Sequence, residues 1–201
     1  MTVRPVLTRT DTVPDHEGDS VRYADGPQVQ CDIRVEAAPA RVWELVTDIE
    51  LPARLSPELQ HVEWIGNAAG AAVGSMFVGY NHNRLLGAWQ TVSHIVEFQE
   101  ERVFGWVVVS PDGRFGDPEP DPEKPLATWR FELEPDEAGA TLLRHSVVIG
   151  PARSGLSLAI DSMPEREEEV VAFRMDVLRA NMDATLEGIK QLAEEPAPEP
   201  R

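Results

Sequence analysis

Apolar residues follow two rhythms along this chain. Between residues 29 and 149 they recur mostly at every second position, and beyond residue 165 they recur at three to five. The first rhythm predicts strands and the second a helix. Val29, Cys31, Ile33 and Val35 alternate with polar residues as a half-buried first strand. Pro39 then opens an amphipathic helix carrying Val42, Leu45, Val46 and Ile49. Pro52 interrupts it, and Pro57 confines the next segment to a short second helix or turn. Strand-like runs come next at 60–65, 75–82, 88–98, 103–110, 127–133 and 141–149, joined by turns rich in Gly, Pro, Asp and Asn. With the first, that makes about seven strands.

Residues 165–193 contain no proline, and Val170, Phe173, Val177, Met182, Leu186, Ile189 and Leu192 mark one apolar side of a helix about 40 Å long. Glu165, Glu167, Glu168 and Glu169 suit the positive end of its dipole, so capping accounts for them. Residues 111–125 hold five prolines and little apolar content; they read as a surface loop, either passive or a lid over a cavity. Residues 1–26 lack periodicity and read as a leader or an arm on the domain, and 194–201 as a flexible acidic tail. One domain remains, at 27–193.

Alternation also sorts the strand residues by face. In the stretch 74–89, Phe77, Gly79 and Asn81 share a side, so an amide stands where a solid core would continue with an aliphatic group. Asn81 either meets a ligand or pins the strand end through bonds to the backbone. Trp129, Phe131 and Leu133 should point inward, leaving Arg130 and Glu132 as an exposed pair. The face Thr141, Leu143, His145, Val147, Ile149 carries His145 inside, as a proton shuttle with an ordinary pKa of about 6.5 or as a core histidine satisfied by a carbonyl. Phe104 and Trp106 share a face, and Trp89 stands near the start of the fourth strand. Together with Phe173 and Val177 from the terminal helix, these rings suit a flat-walled pocket for a polycyclic or aromatic ligand, and ordinary core aromatics share the pattern. Both faces of the fourth strand mix polar with apolar residues, so neither is chosen for Ser93 or His94; a bulge would reverse the parity partway. Glu58 stands either at a pocket mouth as a base or at a helix end as a backbone cap.

Composition narrows the chemistry. The 201 residues, 42% hydrophobic, suit one core or cavity wall. A lone cysteine, Cys31, excludes an internal disulfide and a cysteine-cluster zinc site, and its place on the first strand suits a buried structural thiol. The formal charge of −17, with no basic stripe, argues against nucleic acid as a partner. No apolar h-region and no window of about 18 apolar residues occur, so membrane insertion and secretion are not expected and the cytoplasm is the default. The five histidines lack helical metal-ligand spacing, there is no Gly-x-Ser-x-Gly elbow, and Gly66, Gly70 and Gly74 precede no helix. Neither metal nor cofactor is expected.

Several segments in order carry a resemblance: Val42–Ile49 after Pro39, Ser56-Pro-Glu58, Val62-Glu-Trp64, the stretch 74–89, Val96-Glu-Phe98, Phe104-Gly-Trp106, 128–135, Gly139-Ala-Thr141 and the long terminal helix. Over residues 28–193 the chain resembles the START-like superfamily in its bacterial polyketide cyclase/dehydrase branch. The resemblance implies an α+β helix-grip fold, in which a curved antiparallel sheet wraps the C-terminal helix around a cavity. It also implies a cyclase that folds a polyketone for aldol closure and dehydration without a cofactor; on the reading of the strand faces, Asn81 is then the candidate to hydrogen-bond the enolate oxygen and His145 the candidate to move the proton. Aromatase members carry arginine and tyrosine in the pocket; Tyr80 and Arg84 are the nearest candidates here, and alternation turns Tyr80 away. The alternative is a carrier or sequestering protein for a hydrophobic small molecule, working as a monomer or homodimer.

Overall fold

The computed structural model describes residues 21–195 except 67, 69, 85, 86, 117 and 118, so most of the expected leader and the tail beyond 195 lie outside the described residues. The elements run β1 (Gln28–Val35), α1 (Pro39–Val46), α2 (Leu51–Leu55), β2 (Leu59–Trp64), β3 (Met76–Asn83), β4 (Gly87–Gln99), β5 (Val103–Val109), β6 (Ala127–Pro135), β7 (Thr141–Ile149), α3 (Gly155–Ser162) and α4 (Glu167–Glu194). Each expected strand forms within two residues of its bounds. All seven pair antiparallel in one sheet of order β1-β7-β6-β5-β4-β3-β2.

β1 and β2 follow each other in the chain yet occupy opposite edges of the sheet. Only α1 and α2 connect them, so the edges must approach and the sheet curls around the space it encloses. α1 starts on Pro39, where the missing N–H costs nothing, and it buries Val42, Trp43 and Val46. Trp43 meets Phe98 edge to face at 5.1 Å.

α4 lies across the concave side and works in two halves. Its C-terminal half buries Met182, Leu186, Ile189 and Ala193 in the same core cluster as Val42, Val46, Leu133 and Leu143. Its N-terminal half roofs open space. The expected apolar side therefore needs correcting. Val171 and Leu178 are the buried residues of that half, and Phe173 is 65% exposed. The helix also begins two residues later than expected, because Pro164–Arg166 forms a separate 3-10 turn.

α4 touches α2 at Gly188, where an added Cβ would come within 2.6 Å of the Leu55 side chain. Gly188→Val is expected to destabilise the protein by about 1–3 kcal/mol despite the better helix propensity of most residues over glycine. Urea denaturation checks this; an unchanged midpoint would mean that α2 yields freely.

α3 was not anticipated. Its start is a capping box with serine in place of the usual acid: the Ser154 hydroxyl accepts from the Leu156 N–H at 3.2 Å, and the Ser154 N–H donates to the Ser157 hydroxyl at 3.0 Å. Before β1, the Tyr23 N–H donates to Glu167 at 3.0 Å and its hydroxyl to the Ala152 carbonyl, which ties this segment to the start of α4 and to the loop after β7. Among the described residues no helix is long and apolar enough to cross a membrane.

Candidate functional site

Between the sheet and the N-terminal half of α4 lies a cavity of about 650 Å³. From α4 it is lined by Val170, Phe173, Arg174, Val177, Leu178, Asn181, Met182 and Thr185, spaced so that one helical stripe faces it. α3 adds Leu156 and Ala159 at one side, and Ser56, Glu58 and Leu59 close another.

The sheet register orders the remaining wall in rows. Across β7, β6 and β5, His145 stands opposite Phe131 and Phe131 opposite Phe104. Trp129 pairs with Trp106 in the next row, and Ala127, Val108, Ser93 and Phe77 form the third. Thr91 opposite Gly79, and then Trp89 opposite Asn81, complete the wall toward the β3–β4 hairpin. All ten residues singled out from alternation and helical spacing, including His145 and Asn81, line this one cavity.

A bulge resolves the fourth strand. Pairing shifts between Ile95 and Glu97, so Trp89, Thr91, Ser93 and Ile95 face inward before it and Phe98 after it. Glu97 is thereby turned to the outer face, where it binds Arg130 at 2.8 Å. Arg130 also meets Glu132 at 2.5 Å, and the side chains are only about one-third exposed, which corrects the expectation of a simple exposed pair.

The loop after β5 is anchored as well as solvated. Phe115 is 4% exposed and reaches the cavity wall, which the proline-rich composition of 111–125 concealed. Among the described residues no three His, Cys, Asp or Glu side chains gather as a metal-binding group. Cys31 lies outside the cavity at 5% exposure, and burial, reinforced by Asp183, pushes its thiol up to about 11, so it remains protonated and inert.

At the mouth, Glu58 does not cap a helix. The Ser56 hydroxyl accepts the N–H groups of Glu58 and Leu59 at 3.2 Å each, a serine turn that leads from α2 into β2. The Glu58 carboxylate instead accepts from Arg174 Nη1 and Asn83 Nδ2, both at 3.2 Å. Arg84 also lines the cavity, whereas Tyr80 points outward, donates to Glu63 at 3.2 Å and stacks on His61. Asn81 uses its amide group as a donor, to the Gly79 carbonyl at 3.2 Å and to the Thr91 hydroxyl at 3.3 Å. Flipping that amide would set two carbonyl oxygens against each other, so the donors are committed within the sheet, which is the strand-pinning alternative.

His145 is the unusual group. It is 6% exposed, its ring stacks on Phe131 at 4.1 Å and 18°, and it lies 5.2 Å from Trp129. Neither ring nitrogen has a hydrogen-bond partner, contrary to the expectation of a carbonyl-satisfied core histidine. Burial lowers its pKa to about 3, so the imidazole is neutral at ordinary pH.

That shift has a sign in stability. The unfolded chain protonates this histidine near pH 6.5 and the folded protein only near 3, so in between the unfolded state binds more protons and folding weakens as pH falls. The contribution is about 1.4 kcal/mol per pH unit within that window. Denaturation at pH 6.5 and 4.5 should show a flatter pH dependence for His145→Phe than for the wild type; parallel slopes would contradict the assignment.

A family model described as polyketide cyclase / dehydrase and lipid transport matches residues 27–194. No match to a curated protein is found. Among solved structures, the polyketide-cyclase-like protein Cgl2372 from Corynebacterium glutamicum is 26% identical, with a TM-score of 0.56 over 83% of this chain and 91% of that one. The di-domain aromatase/cyclase StfQ of the steffimycin biosynthetic pathway is 14% identical with a TM-score of 0.61, and the match covers 84% of this chain but only half of StfQ. The ZhuI aromatase/cyclase from Streptomyces sp. R1128 is 17% identical with a TM-score of 0.56, over 86% of this chain and 96% of that one. At those identities the last two likenesses show the shared helix-grip fold.

Proposed function

This chain belongs to the polyketide cyclase/dehydrase and lipid transport family, and on that premise we propose that it binds a hydrophobic, planar, polycyclic or polyketide-type small molecule in the cavity. The observation that carries this reading is the wall itself. Trp106 and Trp129 lie nearly parallel, 8° apart with centroids at 6.2 Å, and Phe104, Phe131 and Val177 continue the apolar surface. Flat rings at this spacing favour a flat ligand, and each large apolar side chain covered by it contributes on the order of 1 kcal/mol or more.

Retention of the ligand, as a carrier or sequestering protein, ranks ahead of turnover. A general base works best with a pKa near the operating pH, and His145 lies far below it. The amide donors of Asn81, which an enolate oxygen would require, are already engaged.

Cofactor-free cyclisation with dehydration is the second reading, and one observation favours it. Glu58 faces the cavity beside Arg174, where a carboxylate removes a proton and a guanidinium steadies the resulting enolate.

Titration with pyrene tests the binding reading. A ligand between Trp106 and the α4 stripe should quench tryptophan emission saturably with one-to-one stoichiometry. Emission unchanged up to the solubility limit of pyrene would contradict it.

A further inference from the structure

Resting on the binding reading above, we infer that His145 determines specificity, by selecting planar ligands whose buried end carries a hydroxyl group that hydrogen-bonds its imidazole. Among the described residues, the buried side-chain nitrogen and oxygen atoms that lack a partner are the two ring nitrogens of His145. Buried polar groups in folded proteins are nearly always paired, so an unpaired ring on a cavity wall marks where a ligand's polar atom belongs.

The surroundings rule out a partner from the protein. Phe131 covers one face of the ring and Trp129 borders it, and neither hydrogen-bonds a ring nitrogen. Across the β1–β7 pair stands Cys31, whose thiol faces the Arg179 carbonyl at 4.0 Å. On its remaining side His145 lines the cavity.

Glu58 and Asn81, the other polar candidates, already have partners. Glu58 is held by Arg174 and Asn83, and the Asn81 amide by Gly79 and Thr91. These lie toward the hairpin end, separated from the His145 row by the Trp106–Trp129 row and the two beyond it. A ligand seated against the tryptophans therefore meets an unpaired buried group, His145, at its far end.

A hydroxyl group fits that requirement in either tautomer. A neutral imidazole has one donor and one acceptor nitrogen, and a hydroxyl both donates and accepts. An apolar group of equal size would displace any solvent and leave the ring unpaired, a mismatch that binding sites reject strongly.

The test uses a matched pair, 1-hydroxypyrene and 1-methylpyrene, with pyrene as reference, in fluorescence titrations at pH 7. Wild-type protein should bind the hydroxyl compound at least about tenfold more tightly than the methyl compound, the usual scale for leaving one buried group unpaired. In His145→Phe the preference should shrink to within about twofold, with methylpyrene still bound. If that variant does not fold, the wild-type pair alone decides. Equal wild-type affinities would overturn the inference and leave the binding reading standing, as would a preference that survives in folded His145→Phe. Failure of all three compounds to bind would overturn the binding reading, and the inference with it.

Discussion

Val177→Trp should strongly weaken binding of a planar ligand while leaving the fold intact. Val177 lies in the middle of the α4 stripe that roofs the cavity and is only partly buried, so the larger ring has open space to enter and little core to displace. Once there it occupies the volume that the ligand needs opposite Trp106 and Trp129. Affinity for pyrene is expected to fall on the order of 100-fold, about 2.7 kcal/mol, with the thermal midpoint within a few degrees of wild type. Unchanged affinity in the folded variant would place the ligand elsewhere.

Phe131→Ala should produce the largest loss of stability. Phe131 is 2% exposed, stacks on His145 at 4.1 Å and packs 5.9 Å from Trp106, at the centre of the first row of the wall. Removing the ring deletes its burial and extends a void that neighbours do not fill, which for a buried phenylalanine costs about 3–5 kcal/mol. Urea denaturation reads this directly. A loss below about 1 kcal/mol would mean that Trp129 and His145 collapse into the gap.

Phe131 and His145 also show why parts of the molecule were legible before the structure. Strand alternation put Phe131 and His145 inside because a period of two leaves no freedom once one neighbour is known to be buried. β7 has no bulge, and its bounds and inward face agree with that reading throughout. β4 carries a bulge after Ile95, and no local composition marks it, so its parity became readable only from pairing with β5.

The α4 residues illustrate a different limit. Helical spacing identifies a stripe, but Val170, Phe173 and Val177 meet open space while Val171 is buried away from the cavity, and spacing alone does not separate a cavity from packed side chains. Arg174 was missed for the same reason, since a lone arginine on a helix reads as solvated. Its pairing with Glu58 crosses 116 residues of sequence. α3 was missed because its cap uses Ser157 at the position where glutamate or glutamine gives the usual signal.

The state of His145 was the least readable feature. Alternation placed it inside, yet only the surrounding rings of Phe131 and Trp129 reveal that it lacks a partner and is held neutral. That distinction favours a binding role over proton transfer, because a base that protonates near pH 3 takes up little at neutral pH.

Retention against turnover is most directly measured by native mass spectrometry of the protein incubated with extracts of the cells that produce it, with mass analysis of both the released ligand and the supernatant. One ligand per chain, retained and released at unchanged mass, is the predicted result. A product lighter by one or more waters that accumulates in the supernatant, or no retained ligand at all, would contradict the account.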